Sequence, residues 1–205
     1  MNDRYPVPAG RARVEEEYKK SRFITTLAPV SNSDEANALR SEVRAELADA
    51  SHHCWAFLVG PPGSTTNVGM SDDGEPHNTA GRPMLNLLVH CGMGDVAAVV
   101  TRYWGGTKLG KGGLVRAYSG GVQQAILACG IVEKVNWVTL DVAIDYPSVT
   151  GVQRLCPDFE ATVLFETFGE KALFRLQLPS DSMDGFRAAL TELTNGQVTF
   201  SESDL

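Results

Sequence analysis

Between Asp95 and Glu133 the chain has no acidic residue, yet Arg102, Lys108, Lys111 and Arg116 all lie in that interval. A stretch that cannot neutralise its own cations favours anions. Long apolar runs are also missing: none approaches the roughly 18–20 residues of a membrane helix, and the opening MNDRYPVPAGRARVEEEYKK has no apolar leader core. The protein is therefore expected to stay in the cytoplasm. Cysteine is sparse. Cys54, Cys91, Cys129 and Cys156 stand far apart with no C-x-x-C pair, which excludes a zinc ribbon or thioredoxin-type site and predicts reduced thiols. No G-x-S-x-G elbow occurs, and no cysteine sits in a nucleophile's context. His52 and His53 are adjacent, so on a strand only one can face a given side, and nothing else stands at ligand spacing. No metal, no cofactor and no catalytic residue is expected.

The charge that is present is unevenly divided. Up to Trp137 the chain holds 14 Lys/Arg and 14 Asp/Glu, whereas residues 138–205 hold 4 and 11, so the second part carries the whole net charge of −7. Two domains with different surfaces are expected, 1–137 and 138–205. The acidic second part is a poor polyanion binder, so any nucleic-acid contact belongs to the first.

Hydrophobic periodicity organises both parts. Residues 11–30, RARVEEEYKKSRFITTLAPV, read as strand material with Phe23, Ile24 and Leu27 apolar after a basic Lys19, Lys20, Arg22 cluster. Ser33 caps an amphipathic helix with Ala36, Leu39, Val43 and Leu47 on one face. HCWAFLVG reads as a buried strand, and residues 61–81 as a polar, glycine-rich excursion. RPMLNLLVHCG continues a helix capped near Asn78 or Thr79, DVAAVVTRYW is the most strand-like run, and LVRAYSGGVQQAILACG is a helix ending at Gly130. Beyond Trp137 the order is strand, helix, strand, strand, helix, strand, which is ferredoxin-like βαββαβ. The fold class is α+β.

Two dense segments carry the chemistry. In TRYWGGTKLGKGGLVRAYSGG, Gly105, Gly110 and Lys111 have the spacing of a phosphate-binding P-loop, but Gly112 occupies the position of the hydroxyl that ligates magnesium. A nucleotide-hydrolysing loop is excluded. What remains is a cationic turn whose Gly112 and Gly113 precede a helix with free N–H groups that favour anions. In SDDGEPHNTAG, Asp72, Asp73 and Glu75 form an acidic loop that either caps its own backbone, works as an acid/base set, or braces the glycine loop by pairing with Arg102 or Arg116.

KKSRFI (Lys19–Ile24), HHCWAF (His52–Phe57), SDDGEPHNTAGRPML (Ser71–Leu85) and VVTRYWGGTKLGKGGLVRAYSGGV (Val99–Val122) together resemble the YigZ/IMPACT family. Within that pattern the chain has His77 and Asn78 where a Ser-Gly pair is usual, Arg82 for Lys, and Trp104 for Phe. The resemblance implies an N-terminal α/β sandwich like the second domain of a small-subunit ribosomal protein. It also implies an appended ferredoxin-like domain similar to a C-terminal domain of elongation factor G. Eukaryotic relatives regulate translation initiation by protein contacts with the activator of the amino-acid-starvation kinase. The implied role is a translation-linked, non-catalytic one. Arg102, Lys108, Lys111, Gly112, Gly113 and Arg116 would bind RNA, the ribosome or a translation-associated protein, braced by Asp72, Asp73 and Glu75. Neither a membrane nor duplex DNA is expected as partner. The alternatives are a hydrolase that uses the acidic loop while the basic loop holds an anionic substrate, and a scaffold in which both motifs serve only the fold.

Overall fold

The computed structural model describes residues 4–201, which divide into two compact units, 5–134 and 135–201 together with Arg4. The architecture is mixed α+β. In the first unit the elements are β1 (Arg4–Pro8), β2 (Ala12–Tyr18), β3 (Ser21–Pro29), α1 (Ser33–Glu46), β4 (His52–Val59), β5 (Asn67–Ser71), α2 (Gly81–His90), β6 (Val96–Tyr103), α3 (Gly110–Ala128) and β7 (Ile131–Val135). The second is built from β8 (Trp137–Ile144), α4 (Val149–Leu155), β9 (Thr162–Phe168), β10 (Ala172–Pro179), α5 (Met183–Leu193) and β11 (Thr199–Ser201). No helix among the described residues is long and apolar enough to cross a membrane.

The first unit is a three-layer arrangement around an antiparallel sheet of order β2-β3-β6-β4-β5. One face packs Phe23, Leu27, Leu58 and Val100 against Met84 and Leu88 of α2 and Tyr118 and Val122 of α3. On the other, Ala28, Phe57 and Val99 meet Leu39 and Val43 of α1. The central strand β6 is therefore covered on both sides, which is why it reads as a continuous apolar run rather than an alternating one. β1 and β7 form a separate two-stranded ribbon. Asp95 fastens that ribbon to the sheet: it accepts from the Gly60 N–H and the Tyr5 hydroxyl, both at 2.7 Å, and pairs with Lys134.

In the second unit the order β11-β8-β10-β9, with every pairing antiparallel, is that of a βαββαβ sandwich. Leu140, Val142, Phe174 and Leu176 on one sheet face pack with Val152 of α4 and with Phe186 and Leu190 of α5.

Several elements differ from the sequence expectation. The stretch at residues 11–30 is a hairpin, β2 and β3, turned by Lys19 and Lys20 at φ 49° and 67°. Tight two-residue turns need positive φ at both positions and usually announce themselves with Asn or Gly, which this one lacks. Inside the excursion at residues 61–81 lies the edge strand β5, whose Gly69 faces the stacked rings of Trp55 and Phe57; a Cβ there would come within 2.5 Å of Phe57. Asn32, not Ser33, caps α1, accepting from the Glu35 N–H at 2.8 Å. Helix α3 starts four residues earlier than its apolar pattern, and β1 and β7 carry no clear period.

Replacing Lys19-Lys20 with Asn-Gly relieves two left-handed non-glycine residues. It should stabilise the first unit by about 1 kcal/mol or more, read as a raised denaturation midpoint with an unchanged m-value.

Candidate functional site

Arg102 is the next-to-last residue of β6, in register with Phe23 of β3 and His52 of β4. Its side chain turns toward the α2/α3 face and is only 7% exposed. Nη1 donates to Glu75 Oε1 at 2.5 Å, Nη2 lies 3.3 Å from Ser21 Oγ, and the guanidinium sits over the Phe23 ring, 5.6 Å from its centroid. Glu75, 3% exposed, also accepts from the Tyr118 hydroxyl at 2.9 Å. Ser21 Oγ in turn accepts from the Gly105 N–H at 3.2 Å. One buried ion pair thus links the acidic loop, the turn end of β3, the end of β6, the glycine loop and α3.

Gly105 is fixed by this closeness. A Cβ on it would fall 1.8 Å from the Lys20 carbonyl oxygen, and no side-chain rotation relieves a clash with backbone. Gly110 has a φ of +71°, whereas at Gly112 a Cβ would meet nothing within 4 Å.

The other two carboxylates of the loop serve backbone. Asp72 accepts from the N–H groups of Asn78, Ala80 and Gly81 at 2.8, 2.9 and 2.8 Å, capping α2 from outside the helix. The capping position itself is Ala80, with no side-chain bond of its own, rather than Asn78 or Thr79. Burial raises the Asp72 pKa, but those three N–H bonds outweigh it and hold the carboxyl below its ordinary range. Asp73 accepts from the His53 N–H at 2.7 Å and faces Arg44 at 3.5 Å. His52 directs Nδ1 at the Asp73 carbonyl at 2.8 Å, leaving Nε2 3.9 Å from Glu75. Desolvation lowers the pKa of His53, whose Nδ1 meets Thr101 Oγ1 at 3.1 Å. Cys54 is buried, gives its S–H to the Asp72 carbonyl and has its pKa pushed up by desolvation, the environment of an inert thiol. Among the described residues no three His, Cys, Asp or Glu side chains gather to hold a metal ion.

Above this base a pocket of about 320 Å³ opens, bordered by Glu75, Arg102, Trp104, Lys108, Gly110 and Lys111. Trp104 is 59% exposed. Lys108, Lys111 and Arg116 are exposed and, among the described residues, have no ion-pair partner, in contrast to Arg102. The first turn of α3 has no acidic residue and no side-chain cap, so its leading N–H groups, on Leu109, Gly110, Lys111 and Gly112, have no helix partner. The structure therefore brings Lys108, Lys111 and Gly110 together at one pocket with Arg102 beneath it, whereas Gly112 and Gly113 do not border it. Of the acidic residues only Glu75 reaches this group, and Arg116 does not border the pocket. Sequence reading passed over Ser21, Tyr118 and Trp104 as participants. Ser21 lies in the KKSRFI motif and Tyr118 one turn past the glycines, but each also reads as an ordinary strand or core residue.

Residues 19–126 match the Impact N-terminal domain model and residues 142–197 match a domain of unknown function, DUF1949. The chain belongs to the IMPACT family. An IMPACT family member of Haemophilus influenzae is 40% identical over 95% of this chain and 94% of its own length. The IMPACT family member YigZ of Escherichia coli is likewise 40% identical, over 94% of each chain. A crystal structure described as a hypothetical protein aligns with a TM-score of 0.70 at 38% identity, covering 100% of this IMPACT chain and 99% of that one. These matches secure the family and the two-domain α+β fold, and no name among them assigns a reaction.

Two measurements test this account. Arg102→Met alone, or Glu75→Leu alone, should destabilise by about 3–5 kcal/mol, because each leaves a buried charge unpaired, while the double variant loses far less than the sum; additive losses would overturn the pairing. Asp72→Ala should lose about 1–2 kcal/mol at neutral pH. Because the folded Asp72 pKa is lowered, its stabilisation is present above the unfolded pKa and vanishes as pH falls through about 4 and below, so wild type and variant should converge in acid.

Proposed function

We propose that this protein is a cytoplasmic, non-catalytic binding protein linked to translation, and that it takes hold of RNA, on the ribosome or free of it, through the pocket at the start of α3. One observation carries the reading. Lys108 and Lys111, unpaired with any acid among the described residues, share a pocket with the start of the uncapped first turn of α3 and with the exposed indole of Trp104. Helix-start N–H groups and ammonium groups suit a phosphate, and an exposed aromatic ring beside them suits an unstacked base. So few cations suit a structured or single-stranded RNA segment better than bulk duplex. The same reading takes 1–137 as an IMPACT-like domain with the fold of a ribosomal protein's second domain, and 138–205 as similar to a C-terminal domain of elongation factor G. That part rests on analogy of fold.

A hydrolase built on Asp72, Asp73 and Glu75 would need a carboxylate free to move a proton at the pocket. Asp72 and Asp73 are instead engaged with backbone N–H groups, and Glu75 is tied to Arg102 and Tyr118. A protein partner docked on the same face is the other outcome that the binding experiment distinguishes.

Lys108→Glu with Lys111→Glu should abolish co-sedimentation with ribosomes and binding of structured RNA while leaving the thermal midpoint nearly unchanged. Trp104→Ala should weaken RNA binding by about 1–3 kcal/mol, the worth of one stacked base. Unaltered binding in both variants would sink the proposal. Gly112→Ala separates function from fold at the glycine turn. It should leave stability equal or raise it by up to about 1 kcal/mol, as helix propensity dictates, yet reduce binding by crowding the helix start.

A further inference from the structure

The second unit has a bare sheet face. Helices α4 and α5 cover one side of β11-β8-β10-β9, and the register fixes what stands on the other. One row across it runs Ser201, Asp141, Arg175, Phe165. The neighbouring row runs Thr199, Ala143, Leu173, Thr167. These residues line a depression of about 280 Å³. Phe165 is 61% exposed and Leu173 46%; they stand on the same face of the neighbouring strands β9 and β10, with no helix of the described residues on that side.

Three features narrow what can settle there. First, β9 is the outer strand of the sheet, so its far edge offers unpaired N–H and C=O groups to an extended chain. The register skips Leu164, an extra residue opposite the Arg175–Leu176 step, and leaves its side chain 51% exposed beside Phe165. Of the devices that blunt natural edges, β9 has the bulge at Leu164 and the charge of Glu166 but neither lysine nor proline. Second, the cations on this side are already engaged: Arg175 makes two bonds of 2.8 Å with Asp141, and Lys171 lies 3.7 Å from Asp145. Third, Glu166 and Glu170, at the β9–β10 end, have no ion-pair partner among the described residues, in a segment with 11 acidic and 4 basic residues.

We infer that the β9 edge and the adjoining Phe165–Leu173 face dock an extended, cationic segment of a partner protein. An apolar anchor would lie over Phe165 and Leu173, and lysine or arginine side chains at alternate positions of the added strand would reach Glu166, which stands with Phe174 on the opposite face of the β9 edge, and Glu170 at the turn. The aromatic ring alone would also suit a nucleobase. A phosphodiester chain, however, would meet an unneutralised acidic surface with its cations already paired, so charge selects the cationic peptide. This surface is separate from the α3 pocket, and its failure leaves the RNA proposal untouched.

The test uses the full chain and two labelled synthetic peptides, KVRFKVR and its charge-reversed counterpart EVEFEVE, with fluorescence anisotropy, and an oligouridylate as third probe. KVRFKVR should bind at least about tenfold tighter than EVEFEVE, a difference of about 1.4 kcal/mol. Phe165→Ser and, independently, Glu166→Lys with Glu170→Lys should each remove that preference without shifting the thermal midpoint; the second variant is exposed, so folding is not at risk. Lys108→Glu with Lys111→Glu should leave it intact. The inference is overturned by equal binding of the two peptides, by no binding of either, by preference that survives Phe165→Ser, or by oligouridylate binding lost in Phe165→Ser. Self-association abolished by Phe165→Ser would assign the face to a second copy instead and equally overturn it.

Discussion

The first unit is held around the ion pair of Glu75 and Arg102. Two charges that are almost fully buried are costly to desolvate, and they persist only when their remaining donors and acceptors find partners. Here Tyr118, Ser21 and the Phe23 ring supply most of them, with only the Arg102 Nε left without a hydrogen-bond partner among the described residues, so satisfying one pair requires that β3, β6, the acidic loop and α3 all be in place at once. Such a pair contributes less to net stability than to uniqueness: a slipped β3–β6 register would leave Arg102 or Glu75 unpartnered in an apolar layer. Gly105 belongs to the same constraint, because the backbone of the hairpin turn at Lys20 occupies the space its side chain would need.

This explains which parts of the molecule were legible in the sequence. The period of α1, the buried run of β6 and the βαββαβ order of the second unit follow from local pattern, and they appear as read. The elements that pattern missed lack its signal. β5 is an edge strand containing a glycine that makes room for Phe57, β1 and β7 pair only with each other, and the β2–β3 turn uses lysines where asparagine and glycine are usual. Helix α3 begins inside the glycines, whose low helix propensity gives no signal of its first turn.

In the site, sequence reading could propose that acid braces base but not which acid. Glu75 and Arg102 are 27 residues apart, and Asp72 reaches N–H groups up to nine residues along the chain. Three neighbouring carboxylates thus take three separate tasks: Asp72 ends a helix, Asp73 holds a strand start, and only Glu75 pairs with the cation. Composition could not separate them, since all three are acids in one loop. Charge segregation was legible, because it is a property of the sequence itself.

The same geometry divides the glycines of the loop by purpose. Gly105 is demanded by backbone contact and Gly110 by its left-handed φ, so both would be needed even if the loop bound nothing. Gly112 has neither demand: it sits in the first turn of a helix with open space where a Cβ would be, at a position where alanine is favoured by about 0.5–1 kcal/mol. Under the proposed binding role, a residue that weakens the helix without serving the fold leaves room for what approaches from outside. A bare backbone there leaves the helix start next to Gly110 and Lys111 uncrowded, so the proposed binding role, unlike the fold, would rest on Gly112 and the two lysines, while Gly105 and Arg102 hold the surface in shape.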